Sequence, residues 1–253
     1  TFSVVVTDSE NPIQLSGPPT QVVIENPAGA CELPGVWDSP VFADNCTAIP
    51  SVTSSHQPGD LFPIGETLVS YTCQDDALNQ IVSTFTVVVV DTTPPTIELM
   101  PQDVAVTTAS DSCEAAAIWT LPEASDCSAF TMSSDLANGS NLPIGNHIVN
   151  FTFTDDHGNS SSDSILVTIL DGELPQVSGT PADITVNNGA GSCGVIVVWT
   201  EPTTTDCTFS ALETNFPSGS QFLVGVTTVV YTATDTNGNQ TLTSFDITVL
   251  DID

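Results

Sequence analysis

An aspartate closes a β-type run four times in this chain: Asp8, Asp91, Asp171 and Asp251 stand 83, 80 and 80 residues apart. A chain with that self-similarity folds as an array of like units, not as one large domain. Other landmarks keep the same order in each copy. A first cysteine (Cys31, Cys113, Cys193) is followed six residues later by a tryptophan (Trp37, Trp119, Trp199). Then come a second cysteine (Cys46, Cys127, Cys207), a glycine (Gly65, Gly145, Gly225) and an aromatic (Tyr71, Phe151, Tyr231). The glycine and aromatic series keep a spacing of 80, so the three extra residues of the first copy fall before Gly65. The expected division is a closing strand over 1–8, then repeats over 9–91, 92–171 and 172–253. Phe2, Val4 and Val6 match Phe85, Val87 and Val89, so the first eight residues read as the last strand of a preceding repeat. The natural polypeptide is therefore expected to extend before Thr1 and after Asp253.

The periodicity within each copy is two throughout. In the run ending at Asp251, Phe245, Ile247 and Val249 share one face while Ser244, Asp246 and Thr248 take the other. Such alternation is a half-buried strand. The turns at Asp155 to Asn159 and Asp235 to Asn239 join that strand to the preceding run, making a hairpin. About seven short strands per 80 residues give an all-β class: three tandem Ig-like or fibronectin-III-like antiparallel β-sandwiches. Val197 and Trp199 share strand parity, which places the tryptophan between sheets; a sugar-stacking platform is the alternative.

Units this small bury a limited core, so the cysteines matter. Regular pairs point to an oxidising, extracellular or cell-surface location. Counting along the sequence suggests local bridges, Cys31 to Cys46, Cys113 to Cys127 and Cys193 to Cys207, each closing a loop for which chain entropy contributes roughly 3 kcal/mol. Cys73 is left over. It shares a face with Tyr71 and reads as a buried thiol, with an interchain bridge as the alternative.

Lys and Arg are absent against 31 acidic residues, a formal charge of −31. With no cations to neutralise phosphate, nucleic-acid binding has no electrostatic source, and anionic membranes repel the chain. No apolar run approaches the roughly 18 residues that span a bilayer, so no membrane insertion is expected.

Taken together, "GACELPGVWDSPVFADNC", "HQPGDLFPIGETLVSYTCQDD" and "GSCGVIVVWTEPTTTDC" resemble the hyalin repeat, or HYR domain, and the resemblance covers the whole chain. Two positions depart from the pattern: Leu78 stands where the other copies have Gly158 and Gly238, and Leu223 replaces Pro63 and Pro143. The resemblance implies immunoglobulin-like extracellular modules, often adhesive, usually in tandem and without catalytic activity.

The three histidines, His56, His147 and His157, occupy non-equivalent positions, and no nucleophile motif accompanies them, so no enzyme and no catalytic residue is expected. No organic cofactor is expected either. Ca²⁺ is the candidate metal, held between repeats by oxygen ligands from Asp91, Asp103, Asp155, Asp171, Asp183 and Asp235; solvated strand-end and turn carboxylates are the alternative. Acceptor sequons for N-glycans occur at Asn45, Asn138, Asn150, Asn159 and Asn239. The functional expectation is a structural array, part of a stalk, fibre or filament, with further copies of the repeat as partners. The alternatives are an adhesive ectodomain with a glycan or protein ligand, and an accessory array on a secreted enzyme.

Overall fold

The computed structural model describes residues 1–26 and 29–252; Asp253, the last residue of the expected third repeat, lies outside them. The described residues contain 24 strands, eight in each repeat, and no helix.

The first repeat shows how the pattern becomes a fold. Gly65–Gln74 and Gln80–Asp91 form the long hairpin, with Val69 opposite Phe85 and Thr67 opposite Val87. Along both strands buried residues alternate with partly exposed ones, so Val69, Tyr71, Cys73, Phe85, Val87 and Val89 share the core face. Ser51–Ser54 joins one edge antiparallel, and Gln21–Asn26 joins the other in parallel register, Gln21 beside Thr86 and Asn26 beside Asp91. One pair per repeat is thus parallel, a departure from a wholly antiparallel sandwich: Val104–Thr107 runs beside Ser160–Leu170, and Ile184–Asn187 beside Gln240–Leu250, in the same sense.

Short ladders complete each sandwich: Glu32–Pro34 with Leu61–Pro63, and Ile13–Ser16 with Val41–Ala43. Trp37 fills the space between, its ring 5.7 Å from Phe62 and 5.2 Å from Phe85 in edge-on geometry. Its indole N–H donates to the Tyr71 hydroxyl at 2.9 Å, satisfying a polar atom that burial takes from water. Trp199 and Tyr231 repeat this bond at 2.8 Å. All three tryptophans therefore belong to packed interiors. Gly65 makes the sharp step from Leu61–Pro63 into the hairpin at φ 105°, as do Gly145 and Gly225 at 134° and 123°.

The residues group into two compact units, one of 1–100, 122–134 and 151–163, the other of 101–121, 135–150 and 164–253. Each unit holds one whole outer repeat and about half of the middle one.

Residues 1–12 form no strand, and Phe2, Val4 and Val6 are highly exposed. The closing strand expected over 1–8 is not formed, because a lone β segment has no ladder to satisfy its backbone and no sheet to cover its apolar face.

Disulfides and carboxylate triads at the repeat boundaries

The cysteines pair across repeats, not within them. Cys31 of the first repeat bonds Cys127 of the second, and Cys113 of the second bonds Cys207 of the third. This replaces the three local bridges expected from spacing. The reason lies in the path of the long hairpin. The first cysteine precedes Glu32–Pro34, whose partner leads into Gly65, and Gly65 lies opposite Val89 at the end of the closing strand. The second cysteine sits at the other end of the hairpin, where Asp76 N–H donates to the adjacent Thr47 hydroxyl. Ten residues of strand at about 3.3 Å each separate these ends, far beyond the reach of one disulfide. Cys46 and Cys193 are consequently unpaired and exposed, whereas Cys73 is a fully buried free thiol.

The same ends carry carboxylates. Asp8, Asp44 and Asp75 bring three ligand atoms within 4.8 Å of one another. Asp171, Asp206 and Asp235 do so in the third repeat, and Asp91, Asp155 and His157 in the second. The clusters at Asp91 and Asp171 each join the aspartate at the end of one closing strand to the aspartate that begins the hairpin turn of the next repeat, and Asp8 of the strandless segment 1–12 takes the corresponding place beside Asp75.

Local hydrogen bonds hold each turn carboxylate in place. Asp155 accepts from the His157 and Asn159 backbone N–H groups at 2.9 and 2.8 Å and from the Asn159 side-chain amide at 2.8 Å. Burial opposes its charge, but these donors outweigh burial and hold its carboxyl below the ordinary value. Asp235 accepts the equivalent hydrogen bonds from the Asn237 and Asn239 backbone N–H groups and the Asn239 side-chain amide. The same asparagine amides reach back to the junction: Asn159 donates to the Asp91 carbonyl and Asn239 to the Asp171 carbonyl, each at 3.2 Å. Junction and turn are thus tied before any ion enters.

In two clusters the third member, Asp44 or Asp206, comes from just before the second cysteine, whereas in the middle one it is His157 of the turn. The Ser128 hydroxyl lies 3.0 Å from Asp91 and 2.9 Å from Asp126, and the Thr208 hydroxyl lies 2.9 Å from Asp171 and 3.1 Å from Asp206. One hydroxyl proton cannot serve two carboxylates. Backbone N–H groups of Thr47 and Cys46 hold the Asp44 carboxyl below its ordinary value. Even so, Asp8 Oδ2, Asp44 Oδ1 and Asp206 Oδ1 are buried without a hydrogen-bond partner. Orphaned carboxylate oxygens in a chain lacking Lys and Arg fit a hard divalent cation, whose oxygen ligands lie 2.3–2.6 Å from the ion in the case of Ca²⁺.

Of the six aspartates expected to hold Ca²⁺, Asp91, Asp155, Asp171 and Asp235 lie in these clusters. Asp103 and Asp183 do not. They accept from the Leu166 and Asp246 backbone N–H groups at 2.8 and 2.9 Å. Each precedes a strand running parallel to the closing strand, so it sits beside the middle of that strand and not at its end. Asp8, Asp44, Asp75, Asp206 and His157 were not anticipated as ligands; the aspartate before the second cysteine was the readable signal.

The sequon asparagines are engaged too. Besides Asn159 and Asn239, the side-chain amides of Asn45, Asn138 and Asn150 donate to Glu10, the Trp119 carbonyl and Asp135. A glycan attaches at that amide nitrogen, so modification at Asn159 or Asn239 would compete with the ties between turn and junction.

The HYR domain family matches residues 15–89, 90–169 and 170–249. The chain is 33% identical to hyalin of Lytechinus variegatus over its full length, covering 49% of that protein. It is 31% identical to hyalin of Strongylocentrotus purpuratus, covering 22% of it. An 82-residue stretch is 46% identical to the rat sushi, von Willebrand factor type A, EGF and pentraxin domain-containing protein 1. Among solved structures, Drosophila N-cadherin EC1-4 aligns with a TM-score of 0.38 at 11% identity, over 94% of this chain and 75% of that one.

Proposed function

Because the chain belongs to the HYR domain family, matched in three tandem copies, we propose that it is a non-catalytic structural segment of an extracellular stalk, fibre or filament. HYR repeats and their hyalin relatives are extracellular, and the two disulfides accord with an oxidising environment. No helix among the described residues is long and apolar enough to cross a membrane. The observation that carries the proposal is the cross-repeat disulfide. A binding module needs one well-placed loop set, whereas bonding each repeat to the next makes continuity of the array the product of the fold.

Ca²⁺ is the ion this reading assigns to the carboxylate triads. It would draw ligands from the end of one repeat and the turn of the next, adding ionic closure to the asparagine ties. A chelator should then lower stability without disturbing the disulfides. The test is Ca²⁺ titration calorimetry with Asp75→Asn, Asp155→Asn and Asp235→Asn variants, combined with small-angle scattering with and without chelator. Site-by-site loss of binding supports the assignment. Absence of heat and identical scattering profiles would leave a calcium-free array.

One observation favours a second, adhesive reading. Val36, Ile118 and Val198 precede the three tryptophans and are 76%, 72% and 75% exposed, an apolar position repeated on each unit's surface. Replacing all three by Ser should abolish any glycan or protein binding if this reading holds, and leave the stability of the array unchanged.

A further inference from the structure

Two hairpin turns in this chain are built alike and differ in one side chain. In the turns 155–159 and 235–239 the leading aspartate accepts from the backbone N–H two residues on, and from the backbone N–H and side-chain amide four residues on. Each turn then passes through a glycine of positive φ, 89° at Gly158 and 91° at Gly238. The residue before that glycine is His157 in one turn and Asn237 in the other. The Asn237 side-chain oxygen stays within its turn, accepting from the Thr236 hydroxyl at 3.3 Å. The His157 ring instead faces the repeat boundary, its Nδ1 3.8 Å from Asp91 Oδ2, too far for a hydrogen bond.

Asp91 makes this more than a chance approach. Its side chain is fully buried, while that of His157 is 37% exposed. Asp91 Oδ1 accepts from the Thr93 backbone N–H and hydroxyl at 3.1 and 2.8 Å. Asp91 Oδ2, the atom facing the ring, relies on the Ser128 hydroxyl at 3.0 Å, whose single proton is also within reach of Asp126 at 2.9 Å. When that proton turns to Asp126, a buried carboxylate oxygen is left without a donor and aimed at a ring nitrogen. A charge so placed needs a cation to offset its lost hydration, and the chain has no Lys or Arg to supply one.

The donor set decides which cation. Asp91 and Asp155 are both buried, and one oxygen of each lies within 4.8 Å of the other and of a His157 ring nitrogen. Two carboxylates balance one dication. Oxygen ligands alone suit Ca²⁺, whereas an imidazole nitrogen suits Zn²⁺. Tetrahedral Zn²⁺ ligands at about 2.0–2.1 Å from the ion stand about 3.3–3.4 Å apart, so the Asp91–His157 pair has only about 0.5 Å to close. With Nδ1 as ligand the ring keeps its proton on Nε2 and stays neutral. Three protein ligands leave a fourth position for water.

We propose that Asp91, Asp155 and His157 form a site that takes Zn²⁺ in preference to Ca²⁺, so that the boundary between the first and second repeats is closed by a different ion from the all-carboxylate cluster of Asp171, Asp206 and Asp235. This rests on the reading of the clusters as cation sites and changes the ion at one of them.

The test is calorimetry on the full oxidised chain, stripped of metal and with the exposed thiols Cys46 and Cys193 alkylated, because thiolates also bind Zn²⁺. Zn²⁺ is titrated in a large excess of Ca²⁺, and the wild type should take up one equivalent. His157→Asn, which installs the side chain that the third repeat carries on the same turn, should weaken Zn²⁺ binding by at least about tenfold and leave Ca²⁺ binding at Asp171, Asp206 and Asp235 unchanged. His56→Gln and His147→Gln should leave Zn²⁺ uptake intact, and Asn237→His should add a second equivalent. Uptake indifferent to His157→Asn, no added site in Asn237→His, or displacement of the Zn²⁺ by an equal concentration of Ca²⁺ would each overturn the proposal. If Ca²⁺ binds at both boundaries and Zn²⁺ at neither, this proposal fails alone; if neither ion binds, the cation reading of the clusters fails with it.

Discussion

Replacing Cys113 by Ser separates the cross-repeat disulfide topology from the local one. In the observed topology, Cys113 is bonded to Cys207 at a sequence separation of 94. Loop-closure entropy for a ring of that length is worth about 4.7 kcal/mol, against roughly 3 kcal/mol for the 15-residue ring that a Cys113–Cys127 bond would close. Cys113→Ser should therefore lower unfolding free energy by about 4.7 kcal/mol, measured by chemical denaturation under oxidising conditions. The bond map is sharper still. Trypsin has no Lys or Arg to cut, but cleavage after glutamate separates the cysteines except Cys193 and Cys207, which share the 174–213 peptide because Pro202 follows Glu201. In the variant, the 174–213 peptide should carry two free thiols, Cys193 and Cys207, while the peptide bearing Cys127 stays bonded to the one bearing Cys31. Finding Cys127 free and Cys207 bonded to Cys193 would refute the topology and the reasoning from hairpin length with it.

Tyr71→Phe leaves the buried Trp37 N–H without its acceptor and should cost about 2 kcal/mol by denaturation; a change below about 0.5 kcal/mol means that the bond contributes little. Leu78→Gly should stabilise by about 0.5–1 kcal/mol, because Leu78 holds φ 72° where Gly158 and Gly238 hold 89° and 91°, and the relief exceeds the entropy that glycine adds to the unfolded chain. Its control, Gly158→Leu, should destabilise. The Asn150 side-chain amide and backbone N–H hold the Asp135 carboxyl below its ordinary value. A folded-state value below the unfolded one, near 3.9, contributes stability above about pH 4 that is lost as pH falls through the folded value. Asp135→Asn should accordingly flatten the acid limb of the stability curve, and an unchanged limb refutes the coupling.

The sandwich itself was legible because its signal is local. Alternation in the run from Ser244 to Val249 reports the pleat directly, and the same parity buries Phe245, Ile247 and Val249. The hairpin turns at Asp155 and Asp235 were equally plain, and so two of the three positions were found in the clusters at Asp91 and Asp171, though none in the cluster of Asp8, Asp44 and Asp75. The rest depended on strand direction. Asp103 and Asp183 looked like junction residues by distance along the sequence, yet the parallel strand that each precedes carries it to mid-sheet. Cysteine pairing failed for the related reason that 15 residues are a short loop in sequence but span the length of a sandwich when a strand path lies between them. Leu78 marks the opposite case, since a hydrophobic residue replaced the expected glycine and the turn kept its left-handed backbone regardless.

The overlap of the two disulfides alters how the chain would carry a pull. Residues 31 and 207 are 176 positions apart along the backbone, a contour of about 600 Å when drawn out at about 3.4 Å per residue. The shortest covalent route between them crosses from Cys31 to Cys127, runs back 14 positions to Cys113 and crosses again to Cys207. With Cα separations of 5.0 and 5.3 Å at the two bridges, that route is only about 58 Å long at the same rise. Tension applied at the ends is thus borne by sulfur and by the short stretch 113–127, while the long hairpins of the first two repeats lie on slack side loops. Force spectroscopy on the oxidised chain should show almost no length released between these points, and reduction should restore it.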